Sequence, residues 1–248
     1  MKIRGWTAHM PDARLLGVLG GMGPLATVDF LAKLIEETPA ERDQDHVPVI
    51  AYSVPQIPDR PEAILDKNAA SPLPAMLAGV RALKRAGATA IAIACNTAHY
   101  WYDELLAEGV PILHIADASC DALFAHTKKR VGLIATKGTV AANFFQERLL
   151  ARGIECILNS EEEQDDLVLP SIIAVKQHRL ADAHALAVRA CEQLQSRGAE
   201  AIILGCTEMP VAVEHAAHPV RDICVDPTRA LAKACVRWWR NSAVPARD

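Results

Sequence analysis

No apolar run in the sequence approaches the roughly 20 residues that a bilayer-crossing helix needs. The longest, LLGVLGG (15–21) and AIAIAC (90–95), are far shorter, which excludes a membrane-spanning chain and argues against a membrane partner. The opening MKIRGWTAHMPDAR has no apolar h-region, so a secretory leader is not expected and the reading is cytoplasmic. There is also no basic stripe. The net charge is −4 with acids and bases scattered, which argues against a nucleic-acid partner. CxxC pairs are missing, and seven cysteines, an odd number placed mostly within apolar segments, do not form a secreted disulfide framework. A single Cys-x3-His, Cys95 with His99, falls short of a zinc ligand set, so no metal is expected. The segment GGMGP (20–24) lacks the Lys and Ser/Thr of a phosphate loop and the full G-x-G-x-x-G, so it reads as close backbone approach beneath a ligand, with Met22 as one wall.

What is present is alternation. The 248 residues, 51% hydrophobic, suffice for one large α/β domain or two smaller ones. Short Val/Ile/Leu/Ala runs read as strands: RLLGVLG, VPVIAYSV, ATAIAIAC, VPILHI, KRVGLIAT, IECIL and AEAIILGC. Helical patterns lie between them. GPLATVDFLAKLIEETP starts with a first-turn proline, while PLPAMLAGVRALKRAG and DAHALAVRACEQLQSRG each end in glycine. Such alternation specifies βαβ units and parallel sheet.

The pattern repeats. LKRAGATAIAIACNTA matches LQSRGAEAIILGCTEM, and the step from helix-ending glycine to cysteine is 8 residues in both, Gly87 to Cys95 and Gly198 to Cys206. Gly17, Gly23 and Phe30 recur at Gly132, Gly138 and Phe145, an offset of 115, against 111 for the cysteines. A loop absorbs the difference. Two copies of one α/β unit thus each deliver a cysteine to a strand end, where open parallel sheets bind ligands.

A thiolate can be a nucleophile, a metal ligand or a general base. Cys95 with His99 as its base would make a lone nucleophile, but that leaves Cys206 unused. Two thiols flanking a cleft suit removal of a proton from one face of a carbon and return to the other, which inverts the centre. The turns after each cysteine, CNTAH and CTE, offer free backbone N–H groups and the side chains of Asn96, Thr97 and Thr207 to an α-carboxylate, stabilising charge as the α-carbon loses its proton. Cys120, Cys156, Cys191, Cys224 and Cys235 have no polar sequel and read as core. Glu208 reads equally as an aid to Cys206 or a helix-start acid, and His99 as a turn-fixing residue or a proton carrier. Trp238 and Trp239 read as packing or subunit contact, and EEEQDDL (161–167) as a solvated loop.

GVLGGMGP, PQIPDRPEAIL, ACNTAH and GCTEMP, in that order across Gly17 to Thr228, resemble the aspartate racemase branch of the aspartate/glutamate racemase superfamily. Glutamate racemases in that superfamily carry Asp-Ser-Gly and Cys-Thr-His where this chain has GGMGP and Cys206-Thr207-Glu208. The resemblance implies two pseudo-symmetric α/β domains, each a mainly parallel sheet flanked by helices, with the active site in the cleft between them. It places residues 1–119 with 224–248 in the first domain and 120–223 in the second. It implies an aspartate racemase without pyridoxal phosphate or other cofactor, acting on an acidic amino acid as a homodimer. Cys206 would take the α-proton of the L-enantiomer and Cys95 that of the D-enantiomer. Arg60 and Lys176 would pair with the side-chain carboxylate, Asn96, Thr97, Thr136 and Thr207 would hold the α-carboxylate side, and a mobile lid near 161–167 would lead into the Lys176 helix. Within the same superfamily the alternatives are racemases of glutamate, of several amino acids or of hydantoins, and one-cysteine maleate isomerases or malonate decarboxylases. A ligand-binding protein with such a cleft and no turnover is the non-enzymatic alternative. DPTRALA (226–232), with Arg229 and Leu231, is less polar than the corresponding stretch of the family it resembles, which leaves that segment's contacts open.

Overall fold

The structure, a computed structural model, describes residues 14–123 and 128–241. Most of the stretch read for a leader lies outside them. The first half runs β1 (Leu16–Gly20), α1 (Pro24–Glu36), β2 (Val49–Ser53), α2 (Arg60–Leu65), α3 (Leu73–Arg85), β3 (Ala90–Ile93), α4 (Tyr102–Leu106), β4 (Ile112–Leu113) and α5 (Ile115–Leu123). The second runs β5 (Arg130–Ile134), α6 (Lys137–Ala142), α7 (Phe144–Leu150), β6 (Glu155–Leu158), α8 (Glu161–Glu163), α9 (Leu169–Lys176), α10 (Leu180–Ser196), β7 (Ala201–Leu204), α11 (Glu208–Glu214), β8 (Cys224–Val225) and α12 (Pro227–Arg240). β1 to β7 each fall within an expected run. Two four-stranded sheets result, ordered β2-β1-β3-β4 and β6-β5-β7-β8, parallel throughout. Among the described residues, no helix is long and apolar enough to cross a membrane.

The repeat is visible in the register. Gly17 pairs with Ile91 in the first sheet and Gly132 with Ile202 in the second. A Cβ on Gly17 would lie 3.3 Å from Leu83 Cβ of α3, and one on Gly132 would lie 3.2 Å from Leu194 Cβ of α10. The two helices therefore cross equivalent glycines, which let them sit close on the sheet. Phe30 and Phe145, also matched, are both fully buried.

The halves are joined by two crossings. α5 carries Ile115 in the first half's core and Ala116, Cys120 and Leu123 in the second's, so the expected boundary at 119 falls inside a helix that serves both. α12 returns to the first half, packing Leu231, Ala232, Cys235 and Val236 against Leu16, Val18 and Phe30. Asp226 caps α12 by accepting from Thr228 and Arg229 N–H and pairs at 2.6 Å with the buried Lys33 of α1. Cys224 and Val225, assigned to the first domain from the sequence, pair instead with Ile202 and Ile203 as the second sheet's edge. Arg229 pairs with Glu36 and Glu37 of α1. Trp238 and Trp239 pack against the same core as Leu231.

Residues 161–168 correct the loop expectation, since they are helical. Ser160 and Glu163 form a capping box, and Gln164, Leu167 and Val168 in a π-helical turn are buried, which anchors the acidic tract. The five cysteines read as core all join apolar clusters, with Cys156 and Cys224 only partly buried. Burial pushes the thiols of Cys120 and Cys156 up, to about 11 and about 12, which keeps them protonated and unreactive.

Candidate active site

Three strand-to-helix turns build the centre of the site. The β1–α1 turn is shaped by Thr27, whose hydroxyl accepts from Gly21 N–H at 2.8 Å and donates to Gly23 O at 2.9 Å. Gly21 has φ +91°, and a Cβ there would sit 2.3 Å from Val54 N, so only glycine fits. The turn presents Gly23 to the opposite half, while Met22, almost fully buried, belongs to the first half's own core with Leu19 and Ile57.

Cys95 and Cys206 follow β3 and β7, the equivalent central strands, and both are buried. After Cys95 the chain enters a 3-10 turn, Thr97–Trp101, whereas after Cys206 it enters α11 directly. The expected helix start thus holds for the second turn only. Each turn meets the other half. Thr97 Oγ1 lies 2.7 Å from Thr139 Oγ1 and 3.3 Å from Thr136 Oγ1, and the latter two hydroxyls are 3.0 Å apart. Reciprocally, a Cβ on Gly23 would lie 3.4 Å from Glu208 Oε1. The matched glycine, Gly138, sits so close to α2 that a Cβ would come within 2.5 Å of Pro61 Cα.

Glu208 is buried, and its Oε2 accepts from Cys206 Sγ at 3.1 Å and from Thr207 Oγ1 at 3.3 Å. Burial, then the Glu208 charge and this hydrogen bond, hold the Cys206 thiol well above its usual range. These causes favour the protonated thiol of Cys206. Glu208 meets both sequence readings, opening α11 and contacting the thiol. Lys176 acts on Cys206 in the opposite direction through its charge.

Arg60 opens α2, where Asp59 caps the helix by accepting from Glu62 N–H at 2.8 Å. Its guanidinium is buried, donating to Ile57, Pro58 and Met22 carbonyls at 3.2, 3.0 and 3.2 Å, with no hydrogen-bond partner on Nε. Among the described residues it makes no ion pair, so its charge is matched only by neutral dipoles, a state that favours an incoming anion. Asn96 is 2% exposed, and neither Nδ2 nor Oδ1 finds a partner. A buried amide without partners inside the protein calls for one from outside it, a ligand or a water.

The structure does not bury Lys176 with the others. It ends α9, exposed and without an ion pair among the described residues. Thr136, half-buried, caps α6 by accepting from Thr139 N–H at 3.1 Å. Next to it, Lys137 pairs with Asp165 at 2.6 Å, tying this turn to the π-helical segment that leads into α9. Thr139 was missed from the sequence, since only packing brings it to Thr97; its one local signal was its place in the first turn of a helix capped by Thr136. A cavity of about 580 Å³ lined by Glu214, His218, Arg221 and Asp226 shares no residue with this site, whose thiols lie covered.

A family model for the Asp/Glu/Hydantoin racemases matches residues 19–235. The broad-specificity amino-acid racemase RacX of Bacillus subtilis is 30% identical over 90% of this chain and 96% of its own. An aspartate racemase of Picrophilus torridus superposes with a TM-score of 0.81 at 33% identity, covering 92% of this chain and 94% of that one. A glutamate racemase of Francisella tularensis, solved with D-glutamate, shares the fold with a TM-score of 0.69 at 19% identity over 96% and 86% of the two chains. With a family match running from Leu19 to Cys235, the chain belongs to the Asp/Glu/hydantoin racemase family of isomerases.

Proposed function

We propose that the protein interconverts L- and D-aspartate by two-base proton transfer between Cys206 and Cys95, without a cofactor. The observation that carries this reading is the pair of cysteines ending equivalent central strands of two like sheets, each turn seated against the opposite half. In the L-to-D direction the Cys206 thiolate takes the α-proton, so the C–H bond breaks as an S–H bond forms. The carbon becomes planar, its electron pair spreading into the α-carboxylate. Asn96, Thr97, Thr136 and Thr207 stabilise that charge. The Cys95 thiol then gives its proton to the opposite face, leaving Cys95 as thiolate and Cys206 as thiol. The reverse direction starts from that second state, in which Cys206 is the thiol, a form that the contact with Glu208 supports. Glu208 accepts the thiol hydrogen bond and sets when that proton is released. Met22 walls the site, and the buried, anion-free guanidinium of Arg60 selects a second carboxylate, with Lys176 as an outer positive charge.

Similarity to RacX supports a second reading, a broader range of amino acids. Incubation of L-aspartate, L-glutamate and neutral L-amino acids separately in D2O, followed by proton NMR and optical rotation, separates the two. Aspartate is expected to exchange its α-proton and lose rotation. Exchange with glutamate alone reassigns the substrate, exchange with neutral amino acids favours the broader reading, and no exchange with any substrate refutes racemisation. Cys95→Ser and Cys206→Ser are each expected to abolish racemisation; a fully active Cys206→Ser protein indicates a one-cysteine mechanism.

A further inference from the structure

The two cysteine turns are related by the repeat but held differently. The Cys206 carbonyl accepts an ordinary backbone bond, from Met209 N–H at 2.9 Å. At Cys95 the carbonyl meets a side chain, His99 Nδ1, at 2.9 Å. Cys95 N–H donates to Ile93 O at 2.8 Å, so both backbone groups of this residue are pinned.

The other ring nitrogen, Nε2, lies 3.3 Å from the N–H of Ile115, the first residue of α5. A backbone N–H only donates, so Nε2 accepts and carries no proton. Nδ1 then carries the ring proton and donates it to Cys95 O. The imidazole is 2% exposed, and burial pushes its pKa down to about 4, outweighing the backbone of Cys95, Leu113 and Asn96, which acts to raise it, with the Arg148 charge a smaller lowering influence. His114 packs against it, tilted by 51° with ring centroids 4.7 Å apart, is itself pushed down to about 2, and accepts from Ala116 N–H at 3.1 Å. Beyond His114 lie Tyr102 and Phe144, the latter from the second half. Two neutral imidazoles thus take up the first two N–H groups of α5, donors that a helix start leaves unsatisfied.

A neutral ring with both nitrogens engaged has none free to carry a proton. We propose that His99 is a positioning residue, a two-ended clamp that fixes the Cys95 backbone at the cleft and locks it to α5, the helix that crosses between the halves. Among the described residues Cys206 has no equivalent, so loss of the clamp weakens one base of the pair and leaves the other. The inference rests on the reading of Cys95 as a proton carrier. Misplacing a reacting group by about 1 Å costs on the order of a hundredfold in rate, which sets the size of effect available.

Two substitutions separate the ends of the clamp. In His99→Asn the amide nitrogen takes the place of Nδ1, keeping the bond to Cys95 O and losing the one to Ile115. In His99→Gln the amide oxygen reaches the place of Nε2, keeping Ile115 and losing Cys95. Circular dichroism and melting report folding, racemisation of aspartate gives kcat and KM, and α-deuterated D- and L-aspartate give isotope effects. His99→Asn is expected to stay within about threefold of wild-type kcat, and His99→Gln to lose about tenfold or more with the fold retained. The isotope effect of His99→Gln should rise for D-aspartate, whose proton Cys95 removes, and fall for L-aspartate. Equal losses in the two variants, unchanged isotope effects, or wild-type kcat in His99→Gln overturn the proposal. A tenfold loss in folded His99→Asn also overturns it, whether or not His99→Gln folds. If the wild-type protein does not racemise aspartate, the functional reading fails separately, and iodoacetamide labelling read by peptide mass spectrometry still tests the clamp. The Cys95-to-Cys206 labelling ratio should change in His99→Gln and hold in His99→Asn; one ratio in all three proteins refutes it.

Discussion

Replacing Asn96 by leucine should stabilise the protein while disabling it. Asn96 is 2% exposed, and both ends of its amide lack a hydrogen-bond partner. Each buried polar group left unpaired costs about 1–3 kcal/mol, and leucine has nearly the same size and shape with neither group. Its backbone, φ −63° and ψ −54°, is ordinary right-handed helical space that leucine adopts freely. Allowing for imperfect fit of the branched methyl groups, the net gain is about 2 kcal/mol. For a chain of this length that corresponds to a rise in Tm of roughly 4–8 °C, readable by differential scanning calorimetry. The same amide is proposed to hold the substrate's α-carboxylate side, so kcat/KM for aspartate should fall about a hundredfold or more, near 2.7 kcal/mol of transition-state stabilisation. Added aspartate should raise the Tm of the wild-type protein and leave that of the variant unmoved. A variant that melts lower than wild type, or one that racemises at the wild-type rate, refutes the assignment of Asn96 as a group kept unpaired for a ligand.

Glu208→Gln removes the negative charge that helps hold the Cys206 thiol protonated, so the thiol's pKa falls. The limb of the pH profile of kcat/KM set by Cys206 should move to lower pH, and an unmoved limb means that Glu208 does not govern this thiol. Gly138→Ala forces a Cβ to within 2.5 Å of Pro61 Cα, so α2 and α6 must part. A loss of about 1–3 kcal/mol in urea unfolding is expected, together with reduced turnover because Arg60 and Thr136 sit on those two turns; wild-type stability would show that the interface yields freely. Stability should fall in acid. The pKa of His99 is pushed from its usual 6.5 to about 4, so the unfolded chain binds more protons between those values. The stabilisation is present above pH 6.5 and is lost as pH falls toward 4, on the order of 3 kcal/mol for this group. In His99→Asn the slope of unfolding free energy against pH over that window should be shallower, and an identical slope assigns the acid sensitivity elsewhere.

Local chemistry carried much of the architecture. Val/Ile/Leu/Ala runs between turn residues specify β1, β3, β5 and β7 because burial on both faces demands continuous apolar strands, while the less buried edge strands β2 and β6 show as short β-branched and aliphatic runs. Gly87 and Gly198, at φ +99° and +89°, mark the ends of α3 and α10 because few other residues adopt that backbone at a helix end. The equal spacing from those glycines to Cys95 and Cys206 shows the repeat in the sequence alone. β8 escaped notice because its apolar run, Ile223 to Val225, is only three residues between Asp222 and Asp226, whereas the equally short β4 lies within the longer run VPILHI.

The site was legible where chemistry follows strand ends and obscure where it depends on what packs from elsewhere. Cys95, Asn96, Thr97, Cys206 and Thr207 could be named because a strand followed by polar turn residues is a local pattern. That Arg60 is buried without an ion-pair partner among the described residues, that Lys176 stays at the surface and that Thr139 meets Thr97 were decided by the packing of α2, α6 and α9. His99 shows the division most sharply. The sequence placed an imidazole four residues after a cysteine and left its role open. Only the fold brought Ile115 N–H to its second nitrogen, and that donor fixes the tautomer and leaves the ring no free nitrogen with which to carry a proton.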